Sequence, residues 1–232
     1  MTLVAAFPSK AADLGVDPVS IELSPQQQTA AITISNASDQ PTTVQIQAVA
    51  WSQFDNKDVY TPTKELLVAP PIVTIAPKGE QIIRTALRRQ ADPARELSYR
   101  IFIQDLPTPP PTGFRGLQVA LRIGLPVFVK PQQGVAKPNL LWRVARMPEN
   151  SLRVSLQNSG SAHLQVSDFT VQLPGTDTPI AGESGASYVL AGQSRSWLVK
   201  LNPALKLADG RLRLKAHTDA GEVDVELETG PL

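Results

Sequence analysis

The sequence predicts an all-β protein, and three observations carry that prediction. Proline is frequent, with 21 residues scattered through a chain of 232. Scattered prolines interrupt helices repeatedly, whereas strand ends, sheet edges and turns tolerate them. Apolar residues alternate with polar ones at a period of two wherever a pattern can be read. Clusters of Pro, Gly, Asn, Asp and Ser separate these stretches at the spacing that a β-sandwich requires.

The first half of the chain predicts one sandwich domain over residues 13–131. Turn signals lie at residues 35–39, 70–71, 77–79 and 107–116. These turns separate six alternating stretches, each of which has one apolar face that a core can bury. They are Val19 to Leu23, Ile32 to Ile34, Val44 to Ala48, Val73 to Ile75, Ile101 to Ile103 and Leu117 to Ile123.

The second half predicts another sandwich over residues 138–232. Residues 132–137 are polar and bounded by Pro131 and Pro138, which is typical of a short, semi-rigid linker. No internal repeat is clear enough to indicate a tandem duplication. The alternating stretches here are Leu152 to Leu156, Phe169 to Leu173, Trp197 to Val199, Leu212 to Leu214 and Val223 to Leu227.

Residues 1–12 are set apart from both domains. An apolar run from Leu3 to Phe7 is followed by small residues at Ser9 and Ala11, as at the end of an export signal. No basic segment precedes the run, and it is short for a complete signal peptide. A leader remnant and a disordered tail both stay open, and neither contributes to the fold.

Charge, hydropathy and cysteine content exclude several classes of protein. Twenty-two Lys and Arg against 21 Asp and Glu leave a net charge of +1, which does not favour binding to nucleic acid or to an anionic membrane. The longest apolar stretches, such as Leu125 to Val129, are far too short to cross a bilayer. The absence of cysteine excludes disulfide scaffolds, Cys-ligated zinc and thiol catalysis without deciding the compartment.

The chain shows no constellation of catalytic residues. His163 and His217 lie far apart and outside any zinc motif, so we interpret both as ordinary strand or loop histidines. Residues 182–186 superficially resemble a nucleophile elbow, but the second glycine falls one position early, which favours a polar loop. The sequence therefore predicts no enzyme, no cofactor and no metal site.

The segment from Gly116 to Val129 predicts an unusual strand. It alternates large apolar residues with Gln, Ala, Arg and Gly, then becomes uniformly apolar around Pro126. Proline cannot donate a ladder hydrogen bond, so the strand is expected at a sheet edge or leaving its sheet there. A long apolar edge strand in a soluble protein usually has a partner. From periodicity alone, an ordinary core strand and a partner-binding edge strand both stay open.

A combination of motifs then resembles a known family. Asp105-Leu106-Pro107, a proline-rich loop through Pro111, the stretch from Leu117 to Leu121 and the stretch from Phe128 to Pro131 occur in that order. Together they resemble the signature of the periplasmic pilus-assembly chaperones of the PapD-like chaperone-usher family. Thr33 to Asn36 and Asn158 to Gly160 fall at that family's strand-to-turn motifs. The likeness covers nearly the whole chain from Asp13.

The resemblance implies a fold and a function. It implies two immunoglobulin-like sandwiches set at an angle, as a boomerang, in an ATP-independent periplasmic chaperone. Such a chaperone binds pilus subunits that lack a final strand, lends them one by donor-strand complementation, and delivers them to an outer-membrane usher. Leu117, Val119, Leu121 and Ile123 match the donor positions. Whether the free chaperone self-associates to cover this strand stays open.

The family's carboxylate anchor is altered in this sequence. Two basic residues hold the subunit's terminal carboxylate in the best-known members, and the matching positions here are Ser20 and Pro126. The stretch from Leu125 to Val129 more closely resembles the divergent branch that serves archaic-type pili. By strand parity Arg122 lies on the same face as position 126. Arg122, with Arg88 or Arg89, is therefore the candidate replacement anchor.

The family also joins its domains through an acid-base-acid cluster. Glu96, Lys130 and Asp219 match it best, with lysine in place of the usual arginine. Lysine keeps the charge but lacks the bidentate geometry of a guanidinium, which predicts a looser joint. The alternative is three unrelated surface charges.

One other function is also compatible with the sequence. A tandem immunoglobulin-like adhesion or structural module of the cell envelope would share the sandwiches. Such a module is expected to protect its edge strands with charge, bulges or proline, and the unblocked stretch from Leu117 to Ile123 argues against it.

Overall fold

The computed structural model describes residues 14–106, 119–202 and 210–230, and every regular element among them is a β-strand. The all-β prediction is confirmed. The segment 1–12 lies outside the described residues. The strands are β1 Leu14–Asp17, β2 Ile21–Leu23, β3 Thr29–Asn36, β4 Thr42–Phe54, β5 Lys57–Pro62, β6 Leu66–Ala69, β7 Ile72–Ile75, β8 Glu80–Leu87, β9 Leu97–Asp105, β10 Arg122–Val129, β11 Leu140–Met147, β12 Ser151–Asn158, β13 Leu164–Gln172, β14 Pro179–Val189, β15 Ser194–Lys200, β16 Arg211–Thr218 and β17 Gly221–Gly230.

The chain divides into two compact units. The first contains residues 14–51, 60–91 and the described parts of 97–129, and the second contains residues 52–59, 92–96 and the described parts of 130–230. In the described part of the chain, no helix is long and apolar enough to span a membrane.

The first unit is a sandwich of two sheets. The smaller sheet has the order β1-β3-β8-β6, and the larger has the order β2-β10-β9-β4-β5 with β7 paired to β4. Period-two alternation turns one side chain in two toward the space between the sheets, as on β3, where Ile32 and Ile34 are fully buried. Ile83 of β8 and Ile101 and Ile103 of β9 are also fully buried and belong to the same core.

The second unit has one continuous hydrogen-bonded path of seven strands, in the order β14-β13-β16-β17-β11-β12-β15. Its core takes the inward residues of these strands, among them Leu152, Val154 and Leu156 of β12, all fully buried. Trp142 and Trp197 stack in the same core with ring centroids 6.0 Å apart. The alternation predicted for this half of the chain therefore corresponds to one buried face.

One buried asparagine ends a strand in each unit. Asn36, 1% exposed at the end of β3, donates its side-chain amide to the carbonyls of Gln40, Ile75 and Ala76. Its Oδ1 accepts the N–H of Ser38. This network explains physically why the sequence Thr33 to Asn36 forms a strand-to-turn motif: one amide satisfies several backbone groups that would otherwise be buried without partners.

Asn158 forms an equivalent hydrogen-bond network at the end of β12. Its Nδ2 donates to the carbonyls of Ala162 and Val189 at 2.7 and 3.2 Å. Its Oδ1 accepts the N–H groups of Asn139 and Gly160. Three chain segments therefore depend on one fully buried side chain.

Asn158→Ala is expected to destabilise the second unit by about 3 kcal/mol or more, because it strands buried backbone donors and acceptors. Unfolding in denaturant, followed by the fluorescence of Trp142 and Trp197, measures this. Asn150→Ala is the control, because Asn150 lies in an exposed turn, although its φ of 51° makes alanine slightly unfavourable there. Equal midpoints for the two variants would contradict the expectation.

The polar loop predicted over residues 182–186 is wrong. These residues lie within β14, where Gly182 pairs with Thr170 and Ser184 with Asp168 of β13. The alternation is hidden because β14 is an edge strand with exposed side chains, and because the register against β13 shifts between Val166 and Asp168. Glycine fits here because a Cβ on Gly182 would lie 2.7 Å from a backbone oxygen of β13.

Candidate functional site

The candidate site is the open side of β10 in the first unit. β9 pairs antiparallel with β10 from Arg122 to Val129, whereas β2 pairs with β10 on the other side only from Val127 to Val129. Among the described strands, residues 122–126 therefore have no neighbour on that side. Pro126 fits this position, because it has no N–H to offer a further strand.

A row of aliphatic side chains leads along this edge from the core to the solvent. Leu125 is 1% exposed, Ile123 is partly buried against the core of the first unit, and Leu121 and Val119 are 36% and 58% exposed. Leu117 lies outside the described residues. The carbonyl of Leu121 accepts the N–H of Asp105 at 2.8 Å, which extends the pairing with β9 one residue beyond β10.

This arrangement has a definite chemical capacity. Exposed aliphatic side chains beside backbone groups without a strand neighbour can complete the sheet of another chain through ladder hydrogen bonds and side-chain pockets. Beside Leu121, burial raises the pKa of the Asp105 carboxyl by desolvation. The edge is thus rigidly attached at one end and available at the other.

The neighbouring face of the same sheet carries two arginines stacked on aromatic rings. The guanidinium of Arg122 lies 3.8 Å from the ring centroid of Phe102, and that of Arg100 lies 4.3 Å from the ring centroid of Trp51. Arg100 also donates from Nη1 to the hydroxyl of Tyr60 at 2.9 Å. Stacking leaves the edge of a guanidinium free to donate hydrogen bonds.

Arg100 is a residue that sequence reasoning missed. The register of β9 and β10 places it directly opposite Pro126. No salt bridge joins Arg100 or Arg122 to an acidic side chain in the part of the chain that the structure describes. Local sequence carries no signal for this pairing, because it depends on the register between strands separated by residues 106–121.

Gly124 makes room for this face. A Cβ on Gly124 would lie 3.1 Å from Cε1 of Phe102 and 3.4 Å from Cδ of Arg100. Glycine therefore allows the ring and the aliphatic part of the arginine to lie across β10.

Gly124→Val is expected to displace both side chains and to destabilise the protein by about 1–3 kcal/mol, the usual range for overpacking. Thermal unfolding measures the loss. Gly134→Val is the control for adding a side chain of the same size, because nothing lies within 4 Å of a Cβ at that position, although its φ of 71° adds backbone strain. A Gly124→Val variant as stable as the unmodified protein would contradict the close packing.

The other two candidate anchor residues follow β8, a strand of the other sheet. Arg89 Nη1 lies 2.9 Å from Oε1 of Glu65, and the buried hydroxyl of Tyr99 donates to Oε2 of the same carboxylate at 2.7 Å. Burial and this hydrogen bond raise the pKa of Tyr99. Arg88 is exposed, and its backbone N–H donates to the carbonyl of Glu65. The structure thus holds Arg89 on Glu65 and leaves the side chain of Arg88 at the surface.

In the second unit, a histidine lies between two of the three residues predicted to form a charge cluster. The Glu96 carboxylate accepts the backbone N–H of His163 and lies 2.7 Å from its Nδ1. Asp219 Oδ2 lies 3.6 Å from His163 Nε2, and Asp219 Oδ1 accepts the N–H of Gln165. His163 lies in a loop, as expected from the sequence, and its ring is between the two carboxylates. The participation of Lys130 stays a prediction.

Comparison with known proteins identifies a matching family and structures with a similar fold. Residues 13–134 match the family model described as pili and flagellar-assembly chaperone, PapD N-terminal domain. No protein of curated function matches the chain.

Solved structures match nearly the whole chain. One is the CsuC–CsuE chaperone–tip adhesion subunit complex of archaic chaperone-usher Csu pili from Acinetobacter baumannii, with 17% identity, a TM-score of 0.69, and coverage of 95% of this chain and 100% of that chain. The E. coli chaperone DraB has 20% identity, a TM-score of 0.57, and coverage of 95% and 99%. The Salmonella enterica SafA pilin complex with the SafB chaperone has 19% identity, a TM-score of 0.61, and coverage of 95% and 98%. At these identities the likeness shows a shared fold.

Proposed function

The chain belongs to the family of pili and flagellar-assembly chaperones, and from this membership we propose that its β10 edge lends a strand to an incomplete pilus subunit. The open side of residues 122–126, continued by the exposed Leu121 and Val119, is the single observation that carries this proposal. Leu117, Val119, Leu121 and Ile123 are the proposed donor residues.

Burial of these side chains supplies the driving force. Fully burying one branched aliphatic side chain contributes about 1.5–3 kcal/mol, so Val119 and Leu121 together offer on the order of 3–6 kcal/mol before association costs. Ile123 adds less, because it is already partly buried in its own unit. A subunit bound in this way is held firmly but can still exchange this strand for another, and no nucleotide is required.

The matched structures support the proposal by analogy of fold. The Csu structure is a chaperone–tip adhesion subunit pre-assembly complex, and the Salmonella structure is a pilin in complex with a chaperone. The family is one of non-enzymatic chaperones. Periplasmic location and delivery to an outer-membrane usher follow as parts of the proposal, since pili are assembled outside the inner membrane.

We also propose an anchor for the subunit's terminal carboxylate on the same sheet. It lies on the face that carries Arg100 and Arg122, which we call the arginine face. Arg122 stays a candidate, and Arg100 joins it because Arg100 lies opposite Pro126. Arg88 stays a candidate at the surface. Arg89 is the weaker candidate, because a carboxylate of the subunit would compete with Glu65 for its guanidinium. Arginine suits the task because it can meet a carboxylate with two parallel hydrogen bonds.

Co-expression with a candidate pilus subunit tests the function. A chaperone is expected to co-purify with the subunit as a one-to-one complex and to protect it from aggregation. An adhesion or structural module, the alternative, is expected to purify alone and to leave the subunit insoluble, which would overturn the proposal.

A further inference from the structure

Tyr60 of β5 connects the two arginines of the arginine face. Its hydroxyl accepts a hydrogen bond from Nη1 of Arg100 at 2.9 Å. Its ring meets the ring of Phe102 edge-on, with centroids 5.1 Å apart and an interplanar angle of 88°. Phe102 in turn carries the guanidinium of Arg122 on its face. Tyr60 therefore contacts Arg100 directly and Arg122 through one intervening ring.

The tyrosine hydroxyl fixes a motion of Arg100 that stacking leaves open. Trp51 lies under the guanidinium, with its ring centroid 4.3 Å away, and Gly124 leaves room for the aliphatic part of the side chain. Stacking on a ring restrains the tilt of a guanidinium but not its rotation within its own plane. A hydrogen bond lies in that plane, so the bond from Nη1 to Tyr60 decides which N–H groups face outward.

The N–H groups that Arg100 can offer to a ligand follow from these contacts. Nε is buried and has no hydrogen-bond partner among the described residues, so the fork that includes Nε is closed to a ligand. One N–H of Nη1 is donated to Tyr60. The remaining donors are the second N–H of Nη1 and both of Nη2, which lie at the tip of the side chain. A carboxylate that approaches this tip can accept two parallel hydrogen bonds.

Tyrosine orients Arg100 without neutralising it. An acidic side chain in the place of Tyr60 would also accept from Nη1, but its charge would compete with a bound carboxylate, as that of Glu65 does at Arg89. The hydroxyl carries no charge, and within residues 14–106, 119–202 and 210–230 no salt bridge joins Arg100 to an acidic side chain. Arg100 thus keeps its full charge in a fixed orientation.

The hydroxyl contributes little to the fold itself. Tyr60 is 36% exposed, and its hydrogen bond with Arg100 lies at the surface. An exposed hydrogen bond adds little net stability, because water can replace either partner. A role in ligand binding accounts for this geometry better than a role in stability.

We infer that Tyr60 is a positioning residue for the terminal carboxylate of the bound subunit. Its hydroxyl orients the tip of Arg100, and its ring supports the Phe102 platform of Arg122. Orientation before binding matters because a mobile arginine loses rotamer freedom when it meets its ligand, which weakens affinity. The inference rests on the proposed function, since it concerns the anchor of the same site.

Tyr60→Phe tests the inference, because it removes the hydroxyl and keeps the ring. Competition with unmodified chaperone for a candidate pilus subunit diluted from denaturant measures the relative affinity. The variant is expected to bind about threefold to tenfold more weakly, the usual range for one hydrogen bond, with an unchanged midpoint of thermal unfolding. Tyr188→Phe is the matched control, because it removes a tyrosine hydroxyl from β14 of the second unit and is expected to bind normally.

Two further comparisons separate positioning from a general structural effect. In an Arg100→Ala background, Tyr60→Phe is expected to cause no further loss, because the hydroxyl acts through Arg100. Against a subunit with a diglycine extension, which displaces the carboxylate, Tyr60→Phe is expected to lose no affinity relative to the unmodified chaperone. Additive losses in the Arg100→Ala background, a loss that persists against the extended subunit, or unchanged binding by Tyr60→Phe would each overturn the inference.

Failure of the unmodified chaperone to bind the subunit would contradict the proposed function instead. The subunit-free chaperone then tests Tyr60 with acetate as the probe, at constant ionic strength, through the NMR signal of the Arg100 Nε–H group. Acetate is expected to shift this signal in the unmodified protein, and Tyr60→Phe is expected to need an acetate concentration at least about threefold higher. Equal titrations in the two proteins, or no shift in either, would overturn the inference.

Discussion

Leu121→Glu is expected to leave the chaperone folded and to abolish its stable complex with a pilus subunit. Leu121 is 36% exposed and lies outside the core cluster of the first unit, so a charge is tolerated there in the free protein. In the complex, the same carboxylate would enter an apolar groove without a partner. Burial of an unpaired charge costs several kcal/mol, and about 4 kcal/mol already weakens affinity by roughly a thousandfold.

Co-purification of the subunit, followed by titration calorimetry where any complex survives, measures this effect. Ile82→Glu is the matched control, because Ile82 is 51% exposed in the same unit but lies on β8 of the other sheet. The control is expected to bind the subunit normally. Retention of subunit by Leu121→Glu at the level of Ile82→Glu would remove the donor-strand assignment.

Loss of the arginine face is expected to have the next largest effect. Arg100→Ala and Arg122→Ala should each weaken subunit binding by about 10- to 100-fold, because a charge-assisted hydrogen bond contributes about 1.5–3 kcal/mol. Part of the loss is expected to disappear at high salt, where the attraction is screened. Arg100→Lys keeps the charge but loses the planar fork and the stacking on Trp51, so only partial recovery is expected.

Arg84→Ala is the control for this series, because Arg84 is an exposed arginine on β8 of the other sheet. Affinities measured for Arg88→Ala and Arg89→Ala in the same assay rank the remaining candidates. Binding by Arg100→Ala and Arg122→Ala that equals binding by Arg84→Ala would place the anchor elsewhere. It would also mean that the donated strand alone holds the subunit.

Sequence patterns predicted strands best where one face is fully buried. Ile32 and Ile34 of β3 and Leu152, Val154 and Leu156 of β12 alternate because alternate positions must leave water. The pattern fails on β14, whose residues 182–186 carry glycines and polar side chains on an exposed edge. There, hydrogen-bonded pairing with β13 defines the strand, and its exposed side chains produce no apolar alternation.

Long-range contacts account for the other missed features. His163 approaches Glu96 across 67 positions of sequence, so no local motif could indicate their hydrogen bond. The sequence indicates a turn motif at Asn158, but its donation to Ala162 and Val189 depends on the folded positions of both carbonyls.

The sequence by itself determined an all-β chain in two halves with an aliphatic row from Leu117 to Ile123, because periodicity and turn chemistry are local properties of the backbone. Only the tertiary structure decided that β2 leaves residues 122–126 of β10 without a neighbour, and that Arg100 lies opposite Pro126. The physical reason is that strand order and register arise from pairing between distant segments. The same aliphatic row would be an ordinary core strand if a further strand covered it, and it is a candidate site because none of the described strands does.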